Sequence, residues 1–167
     1  VRIPAATPYC VDKYEASLVS DEGVSWSPFF NPGDNALRAV SVEGAIPQGY
    51  MRGVQAKAAC ERAGKRPCSK TEWERACMGS PSKTYPYGNT REWDRCNDRR
   101  SKHPAVELFG SVKNLDSPCI NQLDDTAHPA GTDVGCVSDD GVHDIMGNLH
   151  EWIDDPATKH LHVIERV

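Results

Sequence analysis

The order of apolar and polar residues near the start of the chain predicts extended structure. Tyr9-Cys-Val-Asp-Lys-Tyr-Glu15 roughly alternates between the two, as a half-buried strand does, so residues 1–20 are predicted to form a strand or a strand pair. Turn-forming sequences such as Asn31-Pro-Gly33 then fill residues 21–53. This part is predicted to form loops, with one short extended piece at Ala39–Val42.

Two helices are predicted from periodicity and capping residues. Val54–Ala63 is rich in alanine and stops at Gly64, because a glycine commonly follows the last turn of a helix. Ser69-Lys-Thr-Glu72 is a capping box, in which the serine accepts from the amide three residues on and the glutamate reaches back. The second helix therefore begins there and ends at Gly79, with Trp73 on its apolar face.

The stretch from Ser80 to Asp140 contains no long periodic segment. An irregular run of this length is unusual in a compact domain and needs something to hold it together. Disulfides and a bound cation are the two candidates.

Composition narrows the class of protein. The 167 residues are enough for one domain with a core, and 38% apolar with 26% charged residues is ordinary for a globular domain. The net charge of −5, with no long basic run, argues against nucleic acid as a partner. No apolar stretch is long enough to span a bilayer. The start at Val1, without an initiator methionine or a signal peptide, predicts a processed or trimmed chain.

The seven cysteines contain no C-x-x-C spacing, so zinc-ribbon and thioredoxin-like motifs are poorly supported. In a chain rich in turns, spread-out cysteines favour the disulfides of an extracytoplasmic protein, either periplasmic or secreted. Buried free thiols are the alternative. Because seven is odd, at least one thiol is predicted to be free or to pair outside the chain.

The segment Gly141–Trp152 concentrates candidate metal ligands. Asp144, Asn148 and Glu151 offer side-chain oxygens, and Gly147 lets the backbone turn and expose carbonyls. This chemistry suits a hard cation. A metalloprotease is excluded because position 154 is aspartate where H-E-x-x-H needs a second histidine. Two histidines seven residues apart, at 143 and 150, are weak support for a transition metal.

Four segments together resemble one family. Gly64-Lys-Arg-Pro-Cys-Ser-Lys-Thr-Glu-Trp73 resembles the G-x-R-L-P-T-E-x-E-W signature of the formylglycine-generating enzymes, also called sulfatase-modifying factors. Tyr85-Pro-Tyr-Gly-Asn89 is similar to the family's Y-P-W-G-x, and Gly141–Trp152 to its G-L-Y-D-M-x-G-N-V-W-E-W. Tyr9–Glu15 matches an early strand of some bacterial members. The four motifs follow the family's order and cover nearly everything from Val1 to Trp152.

The resemblance implies an α+β, C-type-lectin-like fold with two helices, small antiparallel sheets and extensive irregular loops, as a single domain over residues 1–167. It also implies two structural calcium sites. The first would use Gly147, Asn148, Leu149 and Glu151. The second would use Asn97, Asp98 and an acid near Asp124. Calcium takes six to eight oxygens of mixed origin, which agrees with the oxygen-rich turn.

Departures from the family pattern bear on activity. Pro67-Cys68 stands where the family has Leu-Pro, and Tyr87 and His150 each replace a tryptophan. Family enzymes continue into a G-G-S-W segment and two cysteines that hold copper(I) and oxidise a substrate cysteine to formylglycine. Here no cysteine follows Cys136 and the sequence ends at Val167. Copper is therefore expected only with that C-terminal part, and this chain alone is expected to be inactive as an oxidase.

Three functional classes remain open from the sequence. One is part of a formylglycine-generating oxidase. Another is a non-catalytic, lectin-like module that presents loops to a protein, peptide or carbohydrate partner. The last is a relative that acts in sulfoxide synthesis or metabolite maturation. The fold alone cannot separate them. A catalytic cysteine with a histidine base has no support from the flanking residues.

Overall fold

A computed structural model describes residues 1–154, and its strands are short. The strands are β1 (Arg2–Ile3), β2 (Tyr9–Cys10), β3 (Ala16–Val19) and β4 (Arg38–Ser41). β1 pairs antiparallel with β2, and β3 pairs antiparallel with β4, which gives two separate two-stranded sheets. In the second sheet Leu18 lies opposite Ala39, and both are buried. The extended piece predicted at Ala39–Val42 is thus β4, displaced by one residue.

The strand predicted over Tyr9–Glu15 is wrong beyond Cys10. The chain leaves the sheet there, and Tyr14 and Glu15 both become buried rather than alternating between core and solvent. The physical reason lies far away in sequence. The Glu15 carboxylate is turned inward to accept hydrogen bonds from the turn around Asn148.

The two predicted helices are confirmed to within one residue. α1 spans Gly53–Arg62 and α2 spans Lys70–Met78. The predicted capping box is present at α2, where the amide of Glu72 donates to Ser69 Oγ at 3.3 Å and the amide of Ser69 donates to Glu72 Oε2 at 2.8 Å. The Arg66 guanidinium donates two hydrogen bonds to the same Glu72 carboxylate. These hydrogen bonds and the one from the Ser69 amide lower the pKa of Glu72 to about 2.

A third α-helix, α3 (Pro104–Phe109), and a 3₁₀ turn (Ile120–Gln122) lie in the region predicted to be irregular. α3 begins with a proline, is capped by the His103 side chain and ends at Gly110 with φ +71°. Its six residues are too few for a helical period to show in the sequence. The described part of the chain therefore has three α-helices instead of two.

The core consists of two apolar clusters. One joins β1 and α2 to the turn at 142–145, through Ile3, Ala76, Val142 and Ile145. The other joins the second sheet to α1, through Leu18, Leu37, Ala39 and Ala59. The Gly141–Trp152 turn is thus packed against α2 through Val142 and Ile145, and is not a loop on the surface.

All seven cysteines fall within the described residues, and one disulfide is present, between Cys96 and Cys136. Both of its cysteines are buried. Free thiols are found at Cys10, Cys60, Cys68 and Cys119. Burial raises the pKa of the Cys68 thiol to about 11 and also raises the pKa of Cys60, so both persist as unreactive thiols. The prediction of disulfides is confirmed for one bond only, because several cysteines pack as small apolar residues.

Among residues 1–154, no helix combines the length and the apolar character that crossing a membrane requires.

Candidate metal-binding turn

The turn Gly141–Trp152 is fixed by core packing and by its backbone conformation. Val142 and Ile145 are buried in the first apolar cluster. Gly147 and Asn148 follow with φ of +84° and +57°. These values lie in the left-handed region, which glycine and asparagine tolerate better than other residues. The consecutive left-handed residues reverse the chain and turn the Asn148 side chain into the protein.

Asn148 is a hydrogen-bonding hub between four segments. Its Oδ1 accepts from Asn97 Nδ2 at 3.0 Å and from the His128 amide at 2.8 Å. Its Nδ2 donates to the Glu15 carboxylate and to the His128 carbonyl oxygen. Its backbone amide donates to the Asn97 carbonyl oxygen at 2.8 Å, and the Leu149 amide donates to Glu15 Oε1 at 3.2 Å. One side chain therefore ties the N-terminal segment and two loops to the turn.

Three carboxyl groups are enclosed beside this hub. Glu15 and Asp144 are buried, and Glu151 is half-buried as a whole residue while its carboxyl group is enclosed. Asp144 Oδ2 accepts from the Gly131 amide at 2.6 Å, and Glu151 Oε2 accepts from Trp73 Nε1 at 2.5 Å. Asp144 Oδ1 is buried without a hydrogen-bond partner among the described residues. An unpartnered buried oxygen of this kind calls for a water or an ion.

The electrostatics of these groups favour added positive charge. Burial raises the pKa of Glu15 well above its usual range, and the nearby Glu151 raises it further. Burial likewise raises the pKa of Glu151 to about 7, opposed by the hydrogen bond from Trp73 and reinforced by Asp144. Burial also raises the pKa of Asp144, which the Gly131 amide partly offsets. Three enclosed carboxyls that resist ionisation would each be stabilised as anions by a bound cation.

The structure brings the first predicted calcium set together and places the second set differently. Asn97 joins the hub, since its Nδ2 reaches Asn148. Asp98 Oδ2 is instead paired with Arg91 Nη2 at 2.6 Å, and the carbonyl oxygen of Asp124 accepts from Arg100 Nη1 at 2.6 Å. At the second set an arginine thus neutralises the Asp98 carboxylate, while Asp124 is contacted by Arg100 through its backbone only.

Calcium fits the donor chemistry of the first set, whereas one carboxylate of the second set is already paired with an arginine. Within residues 1–154 no three His, Cys, Asp or Glu side chains are gathered as a metal-ligand group. A cation at the first set would therefore need backbone carbonyl oxygens from Gly147, Asn148 and Leu149 beside the Glu151 carboxylate, because the side-chain oxygen of Asn148 already accepts two hydrogen bonds. At the second set Arg91 already neutralises the Asp98 carboxylate, and Arg100 donates to the backbone carbonyl oxygen of Asp124. Calcium binding at either set stays a prediction.

Glu15 was missed by sequence reasoning about the site. It lies 133 residues from Asn148 in the chain and belongs to a segment that was interpreted as a strand. The sequence did contain a sign of its importance, because Glu15 is the last residue of the Tyr9–Glu15 motif that resembles the family. The resemblance implies no role for this glutamate. His128 was missed as well, because it acts through its backbone and no motif surrounds it.

The pKa of Glu151 leads to a prediction about stability and pH. The folded-state pKa of about 7 lies above the ordinary 4.5, so the folded protein holds this proton more tightly than the unfolded chain. The resulting stability is complete below about pH 4.5 and is lost as the pH rises through 7. In the presence of a chelator, the free energy of unfolding of the unmodified protein should fall between pH 5 and 8. Glu151→Gln should remove part of that fall, on the order of 3 kcal/mol at most. Urea unfolding across this range measures it.

The control for that series is Glu61→Gln on the exposed side of α1, which should follow the unmodified protein at every pH. Parallel curves for the unmodified protein and Glu151→Gln would contradict the assignment of a protonated Glu151.

The fold and the buried hub define a small α+β scaffold in which irregular loops are tied to two helices and a polar turn. Residues 9–165 match the family model of the sulfatase-modifying factor enzyme 1-like domain, and the chain belongs to this family. Its α+β architecture with small antiparallel sheets is accordingly the C-type-lectin-like fold of that family. The predicted resemblance is confirmed.

A curated relative is the hercynine oxygenase of Mycolicibacterium thermoresistibile. It is 26% identical over 141 residues, which cover 81% of this chain and 27% of that protein. The chain thus spans about a quarter of the length of this relative. This hercynine oxygenase is itself a member of the family.

Proposed function

We propose that this chain is the scaffold domain of an oxidase of the sulfatase-modifying factor family, and that its Gly141–Trp152 turn is a calcium-stabilised structural hub. The observation that carries this proposal is the Asn148 side chain, whose oxygen and nitrogen are both engaged by buried protein groups. A catalytic residue needs at least one group directed at a substrate. Asn148 has its polar atoms committed to holding loops, so the turn supports the fold and does not itself oxidise a substrate.

Bound calcium would supply positive charge to the enclosed carboxyls and replace protons on them. The residues that would hold it are Gly147, Asn148, Leu149 and Glu151. Glu15 would be stabilised as an anion through space and through its two amide donors, from Asn148 and Leu149. Because ionisation of these carboxyls is otherwise unfavourable in the folded state, the cation should matter most above neutral pH.

Calcium should raise the melting temperature of the protein, and Glu151→Gln should reduce that gain. At a free concentration of about 100 times the dissociation constant, a ligand stabilises a fold by about 2.7 kcal/mol. For a domain of this size the shift is about 5–10 °C. Differential scanning calorimetry at pH 8, in chelator and then with added calcium, measures it.

Magnesium at the same concentration is the ion control and should give a smaller shift, since it demands closer octahedral geometry. Asp98→Asn tests the second set, and the calcium response should survive it because Arg91 is the partner of that carboxylate. A melting temperature that calcium leaves unchanged would remove calcium from the proposal while leaving the family assignment intact.

The relative named above favours a second candidate, an oxygenase that acts on a small molecule. The two candidates differ in substrate: a cysteine within a C-x-P-x-R peptide for a formylglycine-generating oxidase, and a small molecule such as hercynine for the other. Oxygen uptake with mass spectrometry of each substrate, with copper or iron supplied, separates them. An extracytoplasmic location is supported by the buried Cys96–Cys136 disulfide. Because this chain alone is expected to be inactive as an oxidase, consumption of one substrate decides between the two candidates, whereas consumption of neither is compatible with a lectin-like binding module as well.

A further inference from the structure

A cleft of about 750 Å³ opens between α2, the segment 91–104 and the outer part of the Gly141–Trp152 turn. Its volume is in the range that holds a small organic molecule. None of the three enclosed carboxyl groups belongs to its lining as far as the described residues go. The cleft therefore borders the proposed calcium hub, with Gly147, Asn148 and Leu149 in its lining, but it does not contain the enclosed carboxyl groups.

One wall of the cleft is apolar. It is formed by Trp73, Pro86, Ile145 and Met146. Pro86 and Ile145 are almost completely buried, and Trp73 is anchored by its hydrogen bond to Glu151, so this wall is rigid. A fixed apolar wall suits the body of a flat or aliphatic ligand, whose burial would be favourable.

The opposite wall is basic, in a chain whose formal net charge is −5. Its cations are Arg91, Arg99, Arg100 and Lys102. Two are neutralised by close partners, since Asp98 lies 2.6 Å from Arg91 and Glu107 lies 2.7 Å from Arg100. Glu74 and Asp125 also line the cleft, so the excess of positive charge is confined to the 99–102 side.

Arg99 and Lys102 provide the unneutralised positive charge on this side of the cleft. Arg99 approaches Asp94 at 3.4 Å, but both side chains are more than half exposed, so the pair is loose. Lys102 forms no ion pair within the part of the chain that the structure describes. Both cations are therefore available to an anion in the cleft.

An exposed tryptophan completes the basic wall. Trp93 is 63% exposed, and the guanidinium carbons of Arg91 and Arg99 lie 4.4 and 5.4 Å from its ring centroid. Stacking on the indole limits the freedom of the guanidinium groups, so less side-chain entropy is lost when they bind a carboxylate. A large exposed aromatic next to unneutralised cations is typical of a recognition surface.

We propose that this cleft binds a small organic carboxylate with a flat or aliphatic body. The carboxylate lies on the side of Arg99 and Lys102, and the body lies against the wall formed by Trp73 and Met146, with Trp93 at its edge. Charge complementarity selects an anion, and the limited volume selects a small molecule over an extended chain. This inference does not rest on calcium binding by the turn.

The test uses indole-3-propionate as the anionic probe and indole-3-propanamide as its uncharged counterpart. Titration into ¹⁵N-labelled protein is followed on the indole N–H signals of the four tryptophans. The Trp93 signal should shift progressively with the propionate. The propanamide should bind about fivefold to tenfold more weakly, because it lacks the charge that two exposed cations recognise.

Matched double variants identify the cations. Arg99→Gln with Lys102→Gln should weaken propionate binding about fivefold to tenfold and leave propanamide binding unchanged. Arg62→Gln with Lys113→Gln removes the same charge from exposed positions outside the lining and should bind like the unmodified protein. Equal melting temperatures for the two double variants show that both are folded.

Four results would overturn the proposal. One is equal affinity for the propionate and the propanamide, and another is equal weakening by the two double variants. The third is the absence of any Trp93 shift up to about 10 mM propionate, where even weak binding shows. Saturable binding of a glutamate-rich decapeptide without binding of the propionate would also overturn it, because the surface would then serve a protein partner.

Discussion

Gly147→Ala should be among the most destabilising single substitutions in this chain, lowering the free energy of unfolding by about 3–5 kcal/mol. Gly147 has φ +84°, where any side chain is strained. A Cβ there would also lie 2.7 Å from the carbonyl carbon of Asn97 and 3.1 Å from the Cα of Asp98. Both are backbone atoms, so the clash cannot be relieved by a side-chain rotation. The turn and the loop at 97–98 would have to separate.

Gly141→Ala is the matched control for that experiment. Gly141 has the same φ of +84°, but a Cβ there meets nothing within 4 Å. Its cost should be the backbone strain alone, about 1 kcal/mol. Urea unfolding of both variants in the presence of a chelator, so that loss of a bound cation does not contribute, should give a difference of about 2–4 kcal/mol. Equal stabilities would mean that the turn does not lie against the 97–98 loop.

Asn148→Ala should lower the free energy of unfolding by about 3–4 kcal/mol. The substitution removes hydrogen bonds to Asn97, to both backbone groups of His128 and to the Glu15 carboxylate. The Glu15 carboxylate and the His128 amide would lose a partner in a buried environment. An unsatisfied buried polar group costs more than the bond itself contributed, and a charged one costs most.

Asn114→Ala controls for the left-handed backbone, because Asn114 has φ +55° against +57° for Asn148 and is exposed. It should cost about 1 kcal/mol or less. The excess loss for Asn148→Ala, measured by thermal unfolding in chelator, therefore reports the hub. Lowering the pH to about 5 should reduce this excess, because burial raises the pKa of Glu15 and a protonated carboxyl loses less than a carboxylate when Asn148 is removed. A loss no larger than that of Asn114→Ala would show that the hub contributes no stability.

The helices of this protein could be predicted because their signals are local. The capping box at Ser69 and the glycine after each helix act within a few residues, and both helices were placed to within one residue. α3 escaped prediction because one and a half turns leave no period to detect. The alternation at Tyr9–Glu15 misled for a related reason, since a contact with a distant turn decided where Glu15 points.

The pairing of the cysteines was likewise not predictable, because it depends on contacts between distant segments. The number and spacing of the cysteines predicted disulfides, and the described structure shows one, between Cys96 and Cys136. Which sulfurs meet depends on how the loop at 96–98 lies beside the segment before the turn, and spacing along the chain carries no information about that. The unpaired Cys60 and Cys68 are half-buried beside helices, where a thiol serves as a small apolar side chain.

The sequence by itself determined the family, the two main helices and the importance of the Gly141–Trp152 turn, because each of these is written in a contiguous motif. Only the tertiary structure decided that Glu15 and His128 meet Asn148, that arginines partner Asp98 and Asp124, and that Arg99, Lys102 and Trp93 face a cleft. These contacts join segments with long separations along the chain. Their geometry follows from packing rather than from any local preference, so it becomes visible only once the chain is folded.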